Sequence, residues 1–138
     1  MTDAPDRKRR VDQIAFTLPF ATESLNVTLT KHWARRSGDK RDMAQEVMVA
    51  IGGPRHYPRP PWRHVAVSIC RYSRGTLDQD NLYASVKPIL DALCASSATH
   101  PHGLGIIEDD RPDLLTLEVT QAKAAKGRTE VLIMRRNA

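Results

Sequence analysis

Val65-Ala66-Val67-Ser68-Ile69, running through Arg74-Gly75 into Asp78-Gln79-Asp80-Asn81 and on to Lys87-Pro88-Ile89-Leu90-Asp91-Ala92-Leu93, is the stretch from which the fold follows. Val65, Val67 and Ile69 alternate with smaller or polar residues, the period-two signature of a half-buried strand. Trp62 and Tyr72 flank this strand, and Arg74-Gly75 marks its exit. The period then lengthens. Val86, Ile89, Leu90 and Leu93 recur at helical spacing, predicting a helix over about Asn81 to Ala95 with Asp80 as N-cap. Pro88 interrupts that helix at a cost of roughly 3 kcal/mol if it sits in the interior. Either the helix kinks there, or its regular part begins near Lys87 with Pro88 in the first turn.

Upstream, Ile14, Phe16 and Leu18 alternate as another strand over Gln13 to Leu18, which Pro19 ends. After a loop through Ser24-Leu25-Asn26, Met43, Val47, Met48 and Ile51 line one helix face, and Gly52-Gly53-Pro54 stops it. The proline-rich segment Pro54 to Pro61 is a loop. Downstream, Ser96 to Gly103 reads as a loop and Leu104 to Ile107 as a short strand delivering Asp109-Asp110. Leu115, Leu117 and Val119 form a further strand. A basic turn over Lys123 to Gly127 leads to a last strand, Glu130 to Met134, that pairs back. The element order predicts an α+β fold: a single domain over residues 12–138, with a mixed β-sheet covered mainly on one face by two main helices. Residues 1–11 read as a flexible basic tail.

The chain has 138 residues, with 21 Lys plus Arg against 16 Asp plus Glu and a net charge of +5. A basic balance favours a polyanionic partner. Cys70 and Cys94 lie in apolar stretches without C-x-x-C spacing and read as buried free thiols of a reducing compartment. No apolar run is long enough to span a bilayer, and the polar N-terminus lacks the apolar core of a secretory signal, so a cytoplasmic location is expected.

Against this basic background stand two acidic clusters, Asp78-Gln79-Asp80-Asn81 and Asp109-Asp110. Asp pairs also serve turns and helix caps. Facing a polyanion, however, carboxylates repel unless a divalent cation lies between, and carboxylate oxygens suit Mg²⁺. Asp78 and Asp80, two apart in an extended segment, can face one cavity. Lys87 lies two helical turns beyond Asp80 and so on the same face of an intact helix. Carboxylates holding a metal beside a lysine that neutralises a phosphate oxygen suit phosphodiester chemistry. Of the basic residues, Lys31, Arg35 and Arg36 near the first long helix, Arg74 after the second strand, and Lys123 and Lys126 in the late turn are the candidates for contact with DNA phosphates. His100-Pro101-His102, with Cys94 upstream, matches no standard zinc spacing and reads as a solvated loop.

Taken in order, Leu18-Pro19 with Ser24-Leu25-Asn26, Asp78-Gln79-Asp80-Asn81-Leu82, Lys87 with Asp91-Ala92-Leu93, Ile107-Glu108-Asp109-Asp110 and Lys126-Gly127-Arg128 resemble the RusA family of Holliday-junction resolvases, from about Ile14 to Ile133. The resemblance implies a small homodimeric, Mg²⁺-dependent endonuclease, with Mn²⁺ as the alternative ion. Such an enzyme nicks opposing strands of four-way DNA junctions, hydrolysing phosphodiesters with metal-activated water. By motif, its metal-site carboxylates fall on Asp78, Asp80 and Asp110, and its essential lysine on Lys87. The sequence departs from the family at that lysine. The commonest form places it four residues after the second Asp, where this chain has Ala84; here it keeps its spacing to Asp91-Ala92-Leu93 instead. Two other readings stay open: a non-catalytic binder of branched DNA on the same scaffold, and a nuclease preferring flaps or forks.

Overall fold

A computed structural model describes residues 12–24 and 33–136. In chain order it contains β1 (Gln13–Leu18), α1 (Trp33–Ile51), β2 (Val65–Ser73), α2 (Gln79–Ser85), α3 (Lys87–Leu93), β3 (Leu115–Lys123) and β4 (Arg128–Arg135). The strands form one mixed sheet in the order β1-β4-β2-β3, with β2 and β3 parallel and the other neighbours antiparallel. The architecture is α+β, as the alternation of periods predicts.

One sheet face is apolar because the registers line up the odd or even member of every strand. Ile14 pairs with Ile133, Val67 with Ile133 and with Leu117, and Ile69 with Val131 and with Val119. Val65, Val67, Ile69, Val131 and Ile133 are at most 2 % exposed, and each such side chain stabilises the fold by about 1.5–3 kcal/mol. α1 and α3 pack on each other over this face, and α1 also lies against β1. α1 stops where the sequence says it should. Gly52 and Gly53 take φ of 101° and 99°, and their N–H groups return to the carbonyl of Met48, a left-handed termination that glycine accepts without a Cβ penalty.

Three local expectations need correction. The helix expected over Asn81 to Ala95 is two short helices, separated at Val86. Pro88 lies in the first turn of α3, where its missing N–H costs nothing, and Val86 accepts from both Ile89 and Leu90. The N-cap of α2 is Asp78, not Asp80: its Oδ1 accepts from the backbone N–H of Asn81, which leaves Asp80 within the first turn. Leu104 to Ile107 is not a strand. Its N–H groups go to the carbonyls of Ala92, Leu93 and Cys94 at the end of α3, and only Ile107 makes bridge contacts, to Trp62 and Cys94.

The last strand also pairs differently from a simple return. β4 is not beside β3; β2 lies between them, so the turn after Lys123 crosses the end of β2. That crossing is fastened by the Ala124 N–H to the Ser73 carbonyl and by Arg74 Nε to the Ala125 carbonyl.

Candidate functional site

The end of the sheet at which β2 and β3 finish is built by one polar rung on the otherwise apolar face. Leu18, Thr129 and Arg71 occupy successive strands in register, and Arg71 pairs with Gln121 of β3. Each polar member holds a loop. Thr129 Oγ1 donates to the Phe20 carbonyl, and buried Arg71 donates from Nε to the Thr22 carbonyl. Gln121 accepts from the Leu77 N–H and donates to the Leu77 carbonyl. Thr22 Oγ1 in turn meets Ser85 Oγ at 2.7 Å, tying the first loop to α2. Nothing in the sequence marks this rung, since each residue looks like an ordinary strand polar group until register places them together.

Gln121 thus fixes the residue just before Asp78. Asp78 is exposed, and its carboxylate is engaged by Asn81 twice, at 2.8 Å from the backbone N–H and 3.2 Å from Nδ2. Asn81 therefore braces Asp78 and not Asp80. Asp80 is exposed in the first turn of α2, with no hydrogen bond or ion pair among the described residues. Beside this acidic start lies the crossing turn, which carries exposed Lys123 and Lys126 and is bound to exposed Arg74. Three of the six expected DNA-contacting residues therefore form one basic patch on the same end of the sheet as Asp78. Arg128 at the start of β4 is already partnered, its guanidinium 3.7 Å from the Tyr72 ring centre and its Nε 3.2 Å from Glu130 Oε2. Arg35 and Arg36 fall within α1, and Lys31 lies outside the described residues.

A second acidic group gathers at the start of α3. Lys87 Nζ stands 2.6 Å from Asp110 Oδ2 and 3.1 Å from Asp91 Oδ1, so Asp91 orients the lysine. Burial alone would lower the Lys87 pKa, but the hydrogen bonds to Asp110 and Asp91 outweigh it and raise the value. Asp110 shows the mirror image: burial pushes its carboxyl up, and Lys87 foremost, with His100 and Asp109, more than reverses this and holds it below the ordinary range. Asp109 makes a turn contact, Oδ1 accepting from the Asp110 N–H at 2.8 Å.

His100 completes this second group, and here the expectation of a solvated loop fails. Its side chain is only 10 % exposed, with Nδ1 3.3 Å from Asp91 Oδ1 and Nε2 3.4 and 3.6 Å from Asp109 and Asp110. The loop is sewn down around it. His100 N–H donates to Ser97 Oγ, and its carbonyl accepts from both Ser97 and Gly103. Gly103 then lies so close to α3 that a Cβ there would come within 2.1 Å of the Cys94 carbonyl oxygen. Cys94 is fully buried, and burial together with the neighbouring Asp110, Asp109 and Asp91 charges pushes its thiol up to about 12. Cys94, His100, Asp109 and Asp110 offer donor atoms within 4.8 Å of one another and could hold a metal ion.

Among the described residues this is the one such group; Asp78 and Asp80 do not join Asp110 in it. Of the expected catalytic set, the folded chain brings Lys87 to Asp110 and keeps Asp78 and Asp80 together at the start of α2. Asp80 lies in α2 and Lys87 in α3, with the break at Val86 between them, so the intact-helix spacing expected to put them on one face does not hold. Neither family models nor curated proteins match the chain. Among the described residues, no helix is long and apolar enough to cross a membrane.

Proposed function

We propose that this protein is a metal-dependent endonuclease acting on branched DNA, with the four-way junction as its preferred substrate and a homodimer as its working form. The observation that carries the reading is the 2.6 Å contact between Lys87 and Asp110. It joins the two motifs that the RusA-like pattern requires to meet, although the lysine is displaced in sequence and followed by Pro88.

The donor chemistry fits Mg²⁺ on the oxygen side. Mg²⁺ is commonly held by one or two carboxylates together with substrate phosphates, and Asp80 presents an exposed carboxylate engaged by no other described side chain, beside the capped Asp78. When bound, the ion supplies a Lewis acid and lowers the pKa of water at the scissile phosphate. The chain's own residues do the rest. Asp78, fixed by Asn81, and Asp80 set where the phosphodiester is approached. Lys87 keeps Asp110 ionised and offers its remaining N–H to a phosphate oxygen. Arg74, Lys123 and Lys126 take flanking phosphates, which position the duplex without reading bases. Two copies related by a twofold axis would present two such sites to the near-twofold symmetry of a junction.

The separation of Asp78 and Asp80 from Asp110 favours a second reading, a non-catalytic binder of branched DNA. Incubating the protein with a labelled synthetic four-way junction and Mg²⁺ or Mn²⁺ decides between them. Paired symmetric nicks, lost in Asp80→Asn while junction binding persists, are the expected result. Tight binding with no nicks under either ion establishes the binder, and faster cleavage of flaps or forks makes one of those the substrate.

A further inference from the structure

We infer that Cys94, His100, Asp109 and Asp110 form a binding site for a borderline transition-metal ion of the Zn²⁺ or Co²⁺ type, distinct from any oxygen-only Mg²⁺ position at Asp78 and Asp80. The inference does not rest on nuclease activity. It stands first on the donor set: a thiol sulfur, an imidazole nitrogen and two carboxylates are the mixture that Zn²⁺ takes in four-coordinate sites, whereas Mg²⁺ avoids sulfur. All four donors lie within 4.8 Å of one another.

The second support is His100 itself. The side chain is nine-tenths buried, yet Nδ1 has no hydrogen-bond partner, and the ring edge is turned into the carboxylates. Asp91 Oδ1 is 3.3 Å from Nδ1 but out of line for a hydrogen bond. Nε2 lies 3.4 Å from Asp109 Oδ1 and 3.6 Å from Asp110 Oδ1, too long for ordinary N–H···O bonds. They match something else. A tetrahedral ion with bonds of about 2.0–2.3 Å holds its ligand atoms about 3.3–3.8 Å apart.

The surroundings divide the labour as a metal site does. Asp110 turns Oδ2 to Lys87 and Oδ1 to His100, so it can ligate through one oxygen while the lysine orients the other. Asp91 stands behind Nδ1, where a slight ring rotation completes the carboxylate–histidine–metal arrangement that fixes the tautomer of a ligating imidazole. The remaining adjustment falls on Asp109, whose side chain is 35 % exposed and has room to turn. Such an ion would pin the Ala95–Gly103 loop to the end of α3 and to the segment leading into β3.

The test is spectroscopic and uses the full chain. Titration with Co²⁺ should give one bound ion per chain and a thiolate-to-cobalt charge-transfer band, displaced by one equivalent of Zn²⁺. Cys70 is the other cysteine, so Cys70→Ser should retain the band, and this variant alters only a half-buried strand position. Cys94→Ser should abolish the band, and His100→Gln should weaken Zn²⁺ binding at least tenfold, read by calorimetry. Zn²⁺ should also raise the melting temperature of the wild type, by mass action. Absence of a thiolate band in the wild type overturns the inference, as does loss of the band in Cys70→Ser. So does a Zn²⁺ affinity unchanged in His100→Gln. If Cys94→Ser fails to fold, the wild-type and Cys70→Ser spectra still decide.

Discussion

The two acidic groups of this protein use the same residue type in opposite ways. At the start of α2, Asp78 and Asp80 are exposed, and Asp80 has no partner among the described residues. At the start of α3, Asp91 and Asp110 are mostly covered and, with Asp109, are shared among Lys87, His100 and backbone N–H groups. The first pair carries uncompensated negative charge beside a basic patch, which is costly near a polyanion unless a cation joins them. The second group is partly compensated from within by Lys87, so its carboxylates order the fold while still offering donor atoms to an ion. Surroundings, not residue identity, separate an exposed carboxylate with no partner from a covered one that also orders its neighbours.

The largest expected effect breaks this comparison on the functional side. Asp80→Asn should lower junction cleavage by at least about a hundredfold, the scale on which single electrostatic groups act at phosphate and acyl centres. Its melting temperature should stay close to the wild-type value, because the carboxylate makes no hydrogen bond or ion pair among the described residues. Unchanged cleavage would remove Asp80 from the mechanism. The next effect lies on the structural side. Gly103→Ala sets a Cβ against the Cys94 carbonyl oxygen, a backbone atom that cannot move aside cheaply. The variant should lose about 2–3 kcal/mol in chemical denaturation, and it should release His100 from its pocket. A loss below about 0.5 kcal/mol, the size expected of an ordinary surface substitution, would show that the loop is not held as described.

The contrast between the groups was only half legible in the sequence. Local periodicity was enough for β1, β2 and the end of α1, since each depends on the spacing of apolar residues and on Gly52-Gly53. Pro88 announced a break between α2 and α3, and it leads α3 as one of the two alternatives required. Strand order was not legible: nothing in Leu115 to Met134 shows that β2 separates β3 from β4, because pairing is chosen by faces that meet only in the folded chain. His100 was hidden for a related reason. A histidine between Thr99 and Pro101 looks solvated, and it is buried only because Gly103 lets the loop close on Cys94. The signals that could have exposed it are Gly103 and Gly105 bracketing the return from the loop, and Cys94 leading into it.

The two smaller effects sharpen the comparison. Asp78→Ala removes the N-cap of α2 and should cost about 1 kcal/mol, while Asp78→Asn, which keeps an acceptor for the Asn81 N–H, should restore most of that stability without restoring charge. Cleavage that falls in both variants, with stability lost only in the first, would separate the role of Asp78 in folding from its role toward an ion.

Lys87→Met addresses the second group, where the smallest stability change is expected. The lysine side chain is 56 % exposed, so solvent screens its pairing with Asp110, and the loss at neutral pH should be about 0.5–1 kcal/mol. Its pH dependence carries more information than its size. Lys87 holds the Asp110 carboxyl below the ordinary value of 3.8, so the stabilisation is present above that value and disappears as pH falls through the lowered one. The Lys87 ammonium is itself raised above 10.5, so its share is complete below that value and is lost as pH rises through the higher one. Wild type and Lys87→Met should therefore differ across the neutral range and converge in strong acid. Denaturation curves that stay parallel down to strong acid would mean that Lys87 acts through packing of its methylene stem rather than through Asp110, and the second group would then lack the internal compensation that sets it apart from Asp78 and Asp80.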